Sequence, residues 1–135
     1  NYKLKIQIES RVAGDLALNH IIPASLEYQS KVIEGVRGLK EIYGEKDFKR
    51  LAKPHFEIIS SISEHVTLLQ SNVDAMIEER KIANNMEDAL ESSKYYCEKV
   101  IPYLETLRYE VDKLELLVDD ELWPMPKYRE LLFTR

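Results

Sequence analysis

The chain has little of what disulfides, loops and membrane spans are made from. One cysteine, Cys97, in 135 residues excludes an internal disulfide and a cysteine-rich metal site. Four glycines and five prolines leave scant material for hairpins, phosphate loops or linkers, and that scarcity favours helices. No apolar run approaches the ~20 residues that cross a bilayer, so no membrane partner is expected. Positive charge is not in surplus either. Lys and Arg number 19 against 24 Asp and Glu, for a net charge of −5, and the bases are interleaved with acids as on solvated helix faces. A nucleic-acid surface needs clustered bases to neutralise phosphates, so nucleic acid is not expected as a partner. The chain opens on Asn1 rather than a methionine, and it reads as a fragment whose lack of a leader carries little information.

What is present is apolar periodicity. From Phe48 to Met76 the series Phe48, Ala52, His55, Ile59, Ile62, Val66, Leu69, Val73, Met76 steps by four and three in alternation. That is a heptad seam on a helix and not the alternation of a strand. Leu51 and Ile58 widen the stripe beyond what a two-stranded coiled coil needs. The segment makes a rod roughly 43 Å long, and a one-sided helix of that length requires partner helices along it.

The remaining segments supply them. Residues 2–22 are expected as a first helix, with Leu4, Ile8, Leu18 and Ile22 on one seam and Arg11 and Asp15 occupying the two positions between. Those two are four apart and can pair, either as a half-exposed ion pair where the helix overhangs its bundle or on a face made for another domain. Ser10, Ala13, Gly14 and Ala17 form a small-residue strip on another side, where a neighbour can approach closely. Pro23 kinks or restarts the helix. A second helix, 23–43, carries Leu26, Val32, Ile33, Val36, Leu39, Ile42 and Tyr43, with Gly44 expected as a left-handed cap. Gly35 and Gly38 inside it cost about 1 kcal/mol each relative to alanine, a cost that close backbone packing would offset.

The central helix is expected to start near 45–47, to bend at Pro54 and to end around 83–85. A last helix over 87–118, kinked at Pro102, has the seam Cys97, Val100, Leu104, Leu107, Val111, Leu114, Val118. Short connections make neighbours antiparallel. The expected fold is therefore all-α: an antiparallel bundle of three to four long, partly kinked helices. After Asp119-Asp120-Glu121, the prolines of Leu122-Trp123-Pro124-Met125-Pro126 stop any helix. A tail carrying Trp123, Tyr128, Leu131, Leu132 and Phe133 is too apolar to stay in water and should dock. The organisation expected is one helical domain, 1–135, with 120–135 as a docking tail.

Nothing in the sequence converges on a reaction. His55 and His65 are ten apart, about 280° around a helix, and point in different directions. His20 precedes a proline, and His55 is expected as a partly buried, hydrogen-bonded seam residue. No Glu-x-x-His or His-Glu-x-x-His pattern exists. Cys97 sits on an apolar seam as a small hydrophobe. Glu78, Glu79, Asp112, Asp119 and Asp120 belong to solvated faces and helix ends. No catalytic, cofactor-binding or metal residue is assigned.

Several stretches go beyond periodicity. Asn19-His20-Ile21-Ile22-Pro23-Ala24, Glu34-Gly35-Val36-Arg37-Gly38-Leu39-Lys40-Glu41 and Ser71-Asn72-Val73-Asp74-Ala75-Met76-Ile77 resemble, in order, the C-terminal region of the type III glutamine synthetases. So do Val111-Asp112-Lys113-Leu114-Glu115-Leu116-Leu117-Val118-Asp119 and the ending Leu122-Trp123-Pro124-Met125-Pro126-Lys127-Tyr128-Arg129-Glu130-Leu131-Leu132-Phe133. The resemblance implies a cytoplasmic parent ligase that makes glutamine from glutamate, ammonia and ATP with divalent metal, and assembles as a ring-based oligomer. In that family a β-grasp domain and a metal-lined barrel carry catalysis. Both lie upstream of this region, and none of the family's catalytic motifs matches a position here. What is implied for this piece is a structural task, with the parent's catalytic domain and neighbouring subunits as partners and no cofactor of its own. The alternative is a stand-alone helical module that takes a partner helix or peptide in a groove.

Overall fold

The computed structural model of the chain describes residues 2–127. Three rods account for nearly all of them. The first is α1 (Tyr2–Leu16), a π-helical turn (Ala17–Ile21) and α2 (Ile22–Ile42), continuous from end to end. The second is α3 (Glu45–Asn84). The third is α4 (Ala89–Tyr95), a second π turn (Tyr96–Val100) and α5 (Ile101–Leu117). No strand occurs among the described residues. Contacts across the rods fix an up-down-up order. Gln7 meets Asn84, while Gln29 meets Ile59 and Ser63. On the other side Ser92 meets Ala83, while Glu110 meets His65. The antiparallel all-α bundle expected from the seams is the architecture found, with α3 in the middle.

The long seam of α3 is the core. Ala52, Ile62, Leu69, Val73 and Met76 are fully buried, and Phe48, His55, Ile59 and Val66 are half-buried. Val100, Leu107, Leu114 and Val118 close on it from the third rod. Each fully buried aliphatic side chain contributes about 1.5–3 kcal/mol. Helix ends follow local chemistry. Glu45 and Asp47 lie in the first turn of α3 and Lys81 in its last, complementing the helix dipole. Asp88 caps α4 by accepting from the Leu90 amide at 3.0 Å.

Pro23 stands in the first turn of α2, the restart that is one of its two expected outcomes, and Pro102 stands likewise in α5; each rod reaches its proline through a π turn. Proline has no amide hydrogen, and its ring clashes with the carbonyl four residues back. Just before Pro23 the Ile22 amide bonds to the Ala17 carbonyl, five residues back, and just before Pro102 the Ile101 amide bonds to Tyr96 in the same way. The wider turn holds one extra residue and lets the helix continue. Pro54 lies inside α3 without breaking it.

The extra residue corrects the first-helix seam. Counting back from Ile22 at helical spacing gives 18, 15, 11, 8 and 4. Inserting one residue shifts the inward face by about one position. The buried residues are Ile6, Ser10, Gly14, Ala17 and Ile21. Leu4 and Ile8 are more than half exposed, at 53% and 54%. The small-residue strip, not the Leu/Ile series, points inward. A β-carbon on Gly14 would stand 3.6 Å from Met76 and 3.8 Å from Val73, so the backbones are close. Arg11 and Asp15 form no ion pair; Asp15 accepts from Asn19 Nδ2 at 2.6 Å.

Two glycine expectations also change. Gly44 is not left-handed. Its φ of −69° and ψ of 165° make it an extended N-cap of α3, its carbonyl taking the Phe48 amide at 2.8 Å. Tyr43 before it is extended too, so the connection turns without positive φ. Gly35 packs on the His55 ring, whereas nothing lies within 4 Å of a β-carbon placed on Gly38. Close packing thus accounts for the first glycine and not the second.

Beyond α5 the chain folds back on itself. The Leu122 and Trp123 amides bond to the Asp119 carbonyl, and Trp123 is buried at 5% exposure. Lys127 is buried as well. Its ammonium donates to the Val118 carbonyl at the end of α5 and pairs with Asp120 at 2.8 Å, a cation at the negative end of the helix. Tyr128, Leu131, Leu132 and Phe133 of the expected docking tail lie outside the described residues.

Ile62 sits at the middle of the seam with no exposed surface. Ile62→Asp buries an unpaired carboxylate and is expected to abolish cooperative thermal unfolding followed by circular dichroism. A variant melting like the parent would refute the seam.

Candidate functional site

The titratable side chains are dispersed along the bundle. His20 lies exposed in the first π turn. His55 faces Gly35, and its Nδ1 is buried without a hydrogen-bond partner, so the hydrogen bond expected there is not made. Cys97 is a half-buried free thiol packed on the core. Among the described residues, no three His, Cys, Asp or Glu side chains group closely enough to hold a metal ion.

His65 alone has a charged partner. Its Nδ1 lies 2.6 Å from Glu110 Oε2, with the two side chains 18% and 6% exposed. Glu110 was not singled out in the sequence, although a signal existed. It stands three residues after Leu107 and four before Leu114, on the face that α5 turns to α3. A carboxylate so placed is sustained only by a partner, and α3 offers His65. The pair ties α3 to α5 where both seams are otherwise apolar.

A second polar cluster closes the opposite end, around the α3–α4 connection. Asn84 accepts from Gln7 Nε2 at 3.0 Å and from the Tyr96 hydroxyl. Ser92 Oγ donates to the Ala83 carbonyl at 2.8 Å, satisfying one of the open carbonyls at the end of α3. Tyr95 donates its hydroxyl to Glu79. That bond, reinforced by desolvation and the nearby charge of Glu79, holds the Tyr95 phenol above its ordinary range. The folded-state pKa is therefore raised, so its contribution is complete below the unfolded value near 10 and is lost as pH climbs through the folded one. These groups fasten helix ends; none is arranged around a space for a substrate.

One of the hollows among the described residues is broad and largely apolar. Between α1 and α5 runs an open groove of about 550 Å³, lined by Ile8, Val12, Leu16, Leu104, Val111 and Met125 among others. Ile8 and Val12 are 54% and 59% exposed. Glu9, Arg108, Asp112 and Glu115 stand on its rim. Its origin is the one-residue shift at the first π turn, which leaves Ile8 and Val12 outside the core.

Removing one member of the His65–Glu110 pair should cost far more than removing both. His65→Ala strands a buried carboxylate and is expected to destabilise by about 3–5 kcal/mol, whereas His65→Leu with Glu110→Leu should be close to neutral. Urea unfolding measures the difference, and equal losses in the two variants would contradict the pairing.

Residues 1–40 match the family model described as the glutamine synthetase C-terminal domain. Over 134 residues, 99% of the chain, it is 46% identical to a glutamine synthetase of Bacteroides fragilis, of which it covers 18%. It is 31% identical to a type-3 glutamine synthetase of Dictyostelium discoideum, again over 99% of the chain and 18% of that protein. A glutamine synthetase of Butyrivibrio fibrisolvens is 23% identical over the same share of the chain and 19% of its own length. The chain thus spans less than a fifth of the curated relatives it matches. On these matches, the chain is similar along its whole length to a part of the glutamine synthetases, and its first 40 residues match their C-terminal domain.

Proposed function

We propose that this bundle is a non-catalytic part of an ATP-dependent glutamate–ammonia ligase, in which it stabilises the enzyme and its assembly. The observation that carries the proposal is the end-to-end similarity of the chain to less than a fifth of much longer glutamine synthetases. Residues for the chemistry would then lie in the other four-fifths.

The described residues do not fit the nucleotide and metal that such an enzyme uses. Phosphate cradles need a glycine-rich loop before a helix; Gly14, Gly35 and Gly38 lie inside helices, and Gly44 is a lone extended cap. Hard divalent cations need several converging oxygens, and no such group occurs among the described residues. ATP, divalent metal, glutamate and ammonia belong, on this reading, to the upstream catalytic body, and that body and neighbouring subunits are the partners. A cytoplasmic setting goes with the reading. The turned-back segment 120–127 would be the described part of the docking tail, with Trp123 and Lys127 as its anchors.

Deleting the segment equivalent to 1–135 from a full-length glutamine synthetase tests the assignment. The expected outcome is a smaller assembly in light scattering or a lower melting temperature, while the isolated bundle shows no heat of ATP–magnesium binding in calorimetry. A deletion variant with unchanged size and stability, or micromolar ATP binding by the bundle, would overturn it.

A further inference from the structure

Resting on that reading, we propose that the α1/α5 groove is the face on which the catalytic body of the same polypeptide docks. The occupant would be an apolar surface with basic residues at its edge.

Four observations converge on this occupant. First, the groove is built from side chains that the bundle does not use. Ile8 and Val12 are more than half exposed along it. A contiguous apolar face of this kind marks an interaction site more often than a free surface. Second, the groove runs along α1, the first helix of the bundle. In a protein of which this is the C-terminal domain, the rest of the polypeptide joins at the start of that helix, close to the groove. Third, the match to the family's C-terminal domain falls on residues 1–40, the rod that supplies the α1 wall of the groove. Fourth, the lining acids Glu9, Asp112 and Glu115 outnumber the bases beside them, Arg108 and the Lys5 that pairs with Glu9, and a net negative edge favours a complementary basic one.

Lining chemistry argues against a small polar metabolite. Such ligands are oriented by a few convergent polar groups within an apolar pocket, whereas the charged groups here stand at the rim of an open trough. The tail beyond Lys127 and a second copy of the chain are the competing occupants, and one experiment separates all three.

Val12→Cys and, as a reference on the exposed face of α3, Ser60→Cys are placed both in the 135-residue chain and in the full-length enzyme. N-ethylmaleimide labelling of each site is then followed by peptide-resolved mass spectrometry. In the 135-residue chain both sites should label at similar rates. In the full-length enzyme Cys at 12 should label at least about tenfold more slowly, as expected of a site exposed only by transient opening, with Cys at 60 unchanged. Ile8→Cys reads the same surface should Val12→Cys lose its circular dichroism signal. Equal rates at position 12 in both proteins would overturn the docking face. Protection already present in the 135-residue chain would overturn it too, in favour of the tail if deleting 128–135 abolishes it, or of a second copy if it grows with concentration. Failure here is distinguishable from failure of the assembly role. Equal labelling with a deletion that still reduces assembly size condemns this face alone, and an inert deletion condemns the broader reading.

Discussion

A proline cannot donate to the carbonyl four residues back, and its ring pushes that carbonyl away. At Pro23 and Pro102 the rods meet this constraint with a bond closed over five residues, Ile22 to Ala17 and Ile101 to Tyr96. Both turns keep their rods continuous, and both press buried side chains into the core: Ala17 and Ile21 from one, Tyr96 and Val100 from the other. The inserted residue also resets which face of each rod points inward. Ser92, Tyr96 and Val100 are buried at four-residue steps through the second turn, as Ala17, Ile21 and Ser25 are through the first.

The consequences of that reset run in two directions. Inward, it buries Ser10, Gly14 and Ala17 beside Ile6, and at Gly14 the backbone of α1 comes close to Val73 and Met76 of α3. Outward, it strands Leu4, Ile8 and Val12 in solvent and so creates the groove. Around the apolar seam, polar fastenings act at particular levels: His65 with Glu110 along α3 and α5, Asn84 with Gln7 and Tyr96 at one end, Lys127 with Val118 and Asp120 at the other. Such pairs specify register more than they add stability, which suits a bundle whose seams are chemically similar.

Much of this was legible from spacing. The seams of α3 and α5 follow unbroken heptads, and the structure buries or half-buries their members from Phe48 to Met76 and from Cys97 to Val118. Legibility failed where a local event changed the period. The count from Ile22 back to Leu4 assumed one continuous phase, and Arg11 and Asp15 then stood on a seam as an anomaly; with one residue added, Ser10 and Gly14 take those places and the anomaly disappears. Glu110 was missed because a carboxylate on a core face is recognisable only once its partner's position is known. Gly44 was assigned the common left-handed cap, whereas two extended residues made the turn. As for the site, dispersion of the histidines could be read from their angular separation, but the groove could not, because it exists only through the shifted phase of α1.

Ile6 and Ile8 carry the same side chain two residues apart, and the two possible phases of α1 give them opposite surroundings. The measurement that bears most directly on the shifted phase is the urea unfolding free energy of Ile6→Ser beside Ile8→Ser in the 135-residue chain. With Ile6 inside at 3% exposure and Ile8 outside at 54%, Ile6→Ser should lose about 2–5 kcal/mol and Ile8→Ser no more than about 0.5 kcal/mol. The reverse ranking would contradict the shifted phase and restore Leu4 and Ile8 to the core.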